Sequence, residues 1–121
     1  MNTQTLWIDC QEHLDAWVAH AKNAPWLGID TEFERVRTFF PRLCLLQMST
    51  PDRAVCIDPL VELDWNGIRT LISESQPVKV FHAARQDLEV LQQHLSVVPG
   101  KFFDTQIAAA FCGYGEQVGY A

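Results

Sequence analysis

The order of elements in this 121-residue chain predicts an α/β domain built on a mixed sheet. Three observations carry the expectation. A meander of apolar strand segments fills the first half, strand and helix alternate in the second, and the helical segments each show one apolar stripe. A chain this long holds one core and is too short for two.

Residues 3–8 (TQTLWI) read as a short strand. Asp9, with Glu12 three residues on, has the form of a capping box. Leu14, Trp17, Val18 and Ala21 then fall at i, i+3, i+4 and i+7, an amphipathic helix ending near residues 23–25. Residues 26–33 (WLGIDTEF), 43–49 (LCLLQMS) and 53–57 (RAVCI) are three strands. The turn residues Thr50-Pro51-Asp52 predict an antiparallel hairpin for the last two. Asp58, before Pro59, is a turn former. Asn66 or Asp64 caps a helix through residue 75, with Ile68, Leu71 and Ile72 inward. Residues 78–81 (VKVF) form a short strand, and 84–95 a helix with Leu88, Leu91 and Leu95 aligned. Pro99-Gly100 turns the chain into a strand at 101–103, and Asp104 caps a last helix over 105–112. Trp7, Trp17, Trp26 and Trp65 are expected in the core. Residues 113–121 show no period, and the chain reads as cut rather than finished.

Composition excludes several classes. With 48% hydrophobic and 20% charged residues, the balance is globular rather than disordered. No apolar run reaches a membrane span of about 20 residues, and no basic-then-apolar leader opens the chain. Cys10, Cys44, Cys56 and Cys112 stand apart without a C-x-x-C pair, as expected of reduced thiols in a cytoplasmic protein. A net charge of −6 argues against a surface that grips nucleic acid everywhere. It leaves room for a site where acidic residues hold metal ions and the metals meet phosphates.

Asp30-Thr31-Glu32 is the first chemical signal. On a strand, Asp30 and Glu32 project from one side, and carboxylates so close repel unless a cation enters or one is protonated. Mg²⁺ or Mn²⁺ would relieve the repulsion through oxygen ligands. The competing reading is a solvent-facing strand end, and Glu34 extends the row only if the strand stays regular. Asp87 lies in the first turn of a helix after a strand, where the macrodipole favours a carboxylate; ordinary first-turn acidity is the alternative. Arg35, Arg37 and Arg42, interleaved with Phe39 and Phe40, form a basic-aromatic segment suited to phosphates and bases, or a solvated loop. Phe33 follows the triplet, and core packing is its plain reading. His82, between a strand and a helix, is a satisfied structural imidazole or a base, and Arg85, two residues before Asp87, meets phosphate or is a surface cation. His13, His20 and His94 show no metal-ligand spacing.

These residues resemble the ribonuclease D family of DEDD-type 3′–5′ exonucleases. Leu27-Gly28-Ile29-Asp30-Thr31-Glu32-Phe33 resembles the family's first motif, and Arg37-Thr38-Phe39-Phe40-Pro41-Arg42-Leu43-Cys44-Leu45-Leu46-Gln47 the segment after it. Val80-Phe81-His82-Ala83 through Asp87-Leu88-Glu89-Val90-Leu91 resembles the second motif. Phe103-Asp104-Thr105-Gln106-Ile107-Ala108-Ala109-Ala110-Phe111 resembles the segment after that second motif. The resemblance implies a ribonuclease-H-like mixed sheet flanked by helices, and stepwise hydrolysis of nucleic acid from a free 3′ end, RNA before DNA. It implies two divalent ions, Mg²⁺ or Mn²⁺, held by Asp30, Glu32 and Asp87, with Phe33, Arg35, Arg37, Arg42, His82 and Arg85 toward the nucleic acid. The family's third motif, a Tyr with the fourth acidic ligand one turn later, has no match; Tyr114 and Tyr120 precede no Asp at that spacing. Residues 1–121 are therefore expected to be the N-terminal part of an exonuclease domain, truncated at the C-terminus and impaired by itself. A non-catalytic nucleic-acid-binding or scaffolding module with a degenerate exonuclease fold is the rival expectation.

Overall fold

A computed structural model describes residues 4–35, 41–115 and 118–119. In chain order the elements are β1 (Gln4–Ile8), α1 (Gln11–Ala21), β2 (Trp26–Glu34), β3 (Arg42–Ser49) and β4 (Arg53–Ile57). After these come α2 (Asn66–Ser73), β5 (Val78–Phe81), α3 (Ala84–Leu95), β6 (Phe102–Asp104) and α4 (Thr105–Phe111). The strands form one sheet in the order β1-β4-β3-β2-β5-β6. β1 pairs parallel with β4, β2 with β5, and β5 with β6. β3 runs antiparallel to both its neighbours, and its pairing with β4 is the expected hairpin. The α/β mixed sheet flanked by helices is thus the observed architecture.

Strand alternation decides which face is covered. In β2, Leu27, Ile29 and Thr31 are buried while Trp26, Asp30 and Glu32 are exposed. The buried face joins one core cluster with Leu14, Trp17 and Ala21 of α1, Ile68, Leu71 and Ile72 of α2, and Leu91 and Leu95 of α3. Ile8, Leu46, Met48, Val55, Ile57 and Phe81 complete it from the strands. The tryptophans divide: Trp17 is buried and Trp65 packs against the core, but Trp7 and Trp26 are exposed, because they point from strands rather than from helix stripes. Among the described residues, no helix is long and apolar enough to cross a membrane.

The first helix starts differently from the expected capping box. Its N-cap is Cys10, without a side-chain cap bond, rather than Asp9. Gln11 supplies the anchor instead: its Oε1 accepts from Asp64 N at 2.7 Å and its Nε2 donates to Asp64 O at 3.2 Å. A contact 53 residues away replaces the local cap. At α2, Asp64 Oδ1 accepts from Asn66 N at 2.9 Å, while Asn66 itself is the first helical residue. Asp58 makes its turn by accepting from Leu60 N at 2.9 Å.

Candidate active site

The site forms where β2 runs past the end of β5. Gly28 pairs with Val80, so Asp30 and Glu32 lie beyond the last paired position of β5, beside the start of α3. Asp30 Oδ1 accepts from the Thr31 amide at 3.1 Å. Asp87, in the first turn of α3 and only 6% exposed, accepts from the same amide at 3.1 Å. The Thr31 hydroxyl also donates to Asp87 Oδ1, at 2.5 Å. Two carboxylates from distant parts of the chain therefore converge on one N–H. Burial pushes the Asp87 carboxyl from its ordinary 3.8 up to about 6. The two bonds from Thr31 oppose that rise, whereas the charges of Asp30 and Asp104 add to it.

The backbone that presents Asp87 is itself braced. Ala83 occupies the N-cap of α3 in the left-handed region (φ 57°), with no capping side chain of its own. Asp104 supplies the cap from β6, accepting from Ala83 N at 3.0 Å and Ala84 N at 2.7 Å. It also accepts from Gln106 N at 2.9 Å, which makes it the expected cap of α4 as well. Partial burial raises the Asp104 carboxyl, but the amides of Ala84, Ala83, Gln106 and Ile107 outweigh this and hold it below the usual range. One carboxylate thus starts two helices.

The other expected site residues are more dispersed. Glu32 is exposed on the same strand face as Asp30, and the register shifts between Glu32 and Phe33, leaving Cys44 of β3 without a partner in the ladder. Among the described residues, no group of three or more His, Cys, Asp or Glu side chains is gathered as a metal centre. The structure brings Asp30 and Asp87 together on the Thr31 amide, whereas Glu32 is exposed on β2 and joins no such group among the described residues. Phe33 is half-buried, with the Arg35 guanidinium 5.9 Å from its ring centre. Arg35 also pairs with Glu89 of α3 at 2.8 Å. Arg42 lies 3.8 Å from Glu34, its register partner, so Glu34 faces a cation and does not extend the acidic row. Arg85 is exposed in the first turn of α3. His82 donates from Nε2 to Val118 O at 2.7 Å, and its Nδ1 lies 2.7 Å from Thr105 Oγ1. Arg37, Phe39, Phe40 and Tyr120 lie outside the described residues.

Thr31 and the second role of Asp104 carry little local signal in the sequence; His94, which shows no metal-ligand spacing, accepts at Nε2 from Leu43 N at 3.1 Å at the start of β3. The one local clue was the alanine pair at the start of α3, a helix without a capping residue.

Known proteins share both the sequence and the fold of this chain. Ribonuclease D of Jannaschia sp. (strain CCS1) is 47% identical over 118 residues, covering 93% of this chain and 31% of that protein. The crystal structure of Escherichia coli RNase D superposes with a TM-score of 0.90 at 35% identity, over 100% of this chain and 32% of that one. The structure of Brucella melitensis NrnC with bound Mg²⁺ gives 0.74 at 26% identity, over 99% and 58%. The chain spans about a third of the length of the ribonucleases D it matches. The resemblance read in the motifs therefore extends across the sequence and the fold. A family model described as 3′–5′ exonuclease matches residues 5–121, and the chain belongs to that family.

Proposed function

We propose that this chain carries the hydrolytic site of a 3′–5′ exonuclease that removes nucleotides from RNA with a free 3′ end in the cytoplasm. The observation that carries the reading is the convergence of Asp30 and Asp87 on the Thr31 amide, at the open end of β2. Its support from relatives is the name ribonuclease D and, for the Escherichia coli protein, a part in structured RNA processing. Structured precursors such as transfer RNA fit that description, and DNA is the competing substrate.

The donor set suits hard divalent cations. Asp87 Oδ2 has no hydrogen bond among the described residues, and two acidic side chains share a single N–H. That excess of negative charge is what Mg²⁺ or Mn²⁺ relieves through oxygen ligands. Asp30, Glu32 and Asp87 would hold the ions. Two such ions would supply Lewis acidity for the attack of water and for the leaving 3′ oxygen. Glu32, on the open face, orients the attacking water. Arg85 and Phe33 meet the phosphate and the terminal base, and Arg35, Arg37, Arg42 and His82 are the further nucleic-acid contacts. Lacking a match to the third motif, the 121 residues alone turn over slowly.

RNA labelled at its 5′ end tests the direction of attack. The protein with Mg²⁺ shortens strands bearing a free 3′ hydroxyl one nucleotide at a time and spares 3′-blocked strands; degradation of blocked strands overturns the reading. A second reading rests on the absence of a three-carboxylate cluster among the described residues, which suits a binding module without turnover. Under it, wild type and Asp30→Asn bind RNA equally and neither shortens it.

A further inference from the structure

We propose that Thr31 is a positioning residue of the acidic site, holding Asp87 in the orientation that a cation needs; the inference rests on Asp87 acting as a metal ligand. Thr31 is 5% exposed and faces away from Asp30 and Glu32, toward α3. Its amide and its hydroxyl both donate to Asp87 Oδ1, at 3.1 and 2.5 Å. A carboxylate oxygen has two lone pairs, so these two donors fill Oδ1 and leave Oδ2 as the oxygen open to a cation. The same amide holds Asp30 Oδ1 at 3.1 Å, so a single residue sets both carboxylates relative to each other. Thr suits this role because its β-branched side chain is stiff about χ1 and fits a strand interior. Among the described residues, the hydroxyl is the only side-chain donor to Asp87.

A contact that merely holds α3 to the sheet would affect folding and nothing else. Positioning predicts a separate signature, because partners that orient a metal ligand typically contribute about 10–100-fold to metal affinity. Thr31→Val keeps the shape and removes the hydroxyl; Thr31→Ser keeps the hydroxyl. The assay is Mn²⁺ binding by electron paramagnetic resonance on the naturally encoded protein, alongside melting in EDTA and the kinetics of RNA shortening. Thr31→Val weakens Mn²⁺ binding by about tenfold or more, lowers kcat with KM for RNA unchanged, and Thr31→Ser restores both to within about threefold. Should Thr31→Val fail to fold, Thr31→Cys, with its weak S–H donor, serves in its place and falls between Ser and the loss expected of Val. Wild-type Mn²⁺ affinity in Thr31→Val, or a Thr31→Ser as weak as Thr31→Val, overturns the proposal. Asp30→Asn separates the two levels. If it abolishes Mn²⁺ binding while Thr31→Val does not alter it, only the role of Thr31 fails; if it changes nothing, the metal site itself fails.

Discussion

Replacing Asp87 by Asn removes a buried negative charge and keeps an oxygen for the Thr31 donors. The carboxyl titrates near 3.8 in the unfolded chain and about 6 in the folded one, without metal. A carboxyl raised by folding opposes folding wherever the unfolded chain has already lost its proton. Below about pH 4 both states are protonated and the group has no effect. Between about pH 4 and 6 the unfolded chain ionises first and stability falls; above about 6 the penalty is constant. A difference of about two units corresponds to about 3 kcal/mol. Solvent at the open end of the sheet screens this to about 1–2 kcal/mol. In EDTA at pH 8, Asp87→Asn should therefore melt about 4–8 °C above wild type, and at pH 4 the two should coincide. Urea unfolding at both values gives the same comparison. Added Mg²⁺ should stabilise wild type and leave the variant unmoved. A variant less stable than wild type by the same margin at both pH values would refute the reasoning.

Further substitutions test the frame around the site. Asp104→Ala leaves the amides of Ala83, Ala84 and Gln106 without their acceptor and should cost about 2–3 kcal/mol in urea unfolding. Because folding lowers this carboxyl, its contribution is present above the unfolded value near 3.8 and is lost as pH falls through the folded one, so wild type and Asp104→Ala should converge in acid. Gly100→Ala would bring a Cβ to 2.2 Å from Ser73 O and 2.7 Å from Glu74 O, both backbone, and should destabilise by more than about 2 kcal/mol. Gly28→Ala runs into the Ser49 hydroxyl, which can rotate away, and otherwise meets Trp26 and Ser49 carbons at ordinary contact distance; its thermal unfolding should stay within about 1 kcal/mol of wild type. Arg85→Ala should raise KM for RNA several-fold at low salt and less at high salt, with kcat unchanged.

Much of this fold was legible because its signals are local. Residues 26–33 read as a strand and lie within β2, and a stripe of leucines marked α3, which spans the expected residues 84–95. The turn at Thr50-Pro51-Asp52 specified the β3–β4 hairpin. Asp30 and Asp87 were legible for a similar reason, since a strand face and a helix first turn each declare themselves within a few residues. The features that stayed hidden depend on contacts across the chain. Thr31 looks like any strand threonine until Asp87, 56 residues on, arrives beside it. The cap of α3 comes from Asp104, 20 residues beyond Ala84, and no pattern near Ala83 names the donor of that carboxylate. The start of α1 went astray likewise: Asp9 and Glu12 have the spacing of a capping box, but Gln11 gripping the Asp64 backbone decides where the helix begins. The tryptophans show the limit of composition. Bulk predicts burial, yet the strand positions of Trp7 and Trp26 turn them to solvent.

The acidic side chains of β2 and α3 are proposed to work by binding divalent cations. The rate of 3′-nucleotide release from RNA, measured against Mn²⁺ concentration for the wild-type protein and for Asp30→Asn, tests it most directly. In wild type the rate should climb with Mn²⁺ and saturate, and in Asp30→Asn it should be about 100–1000-fold lower at every concentration. Equal rates in the two proteins, or a wild-type rate indifferent to Mn²⁺ and to EDTA, would contradict it.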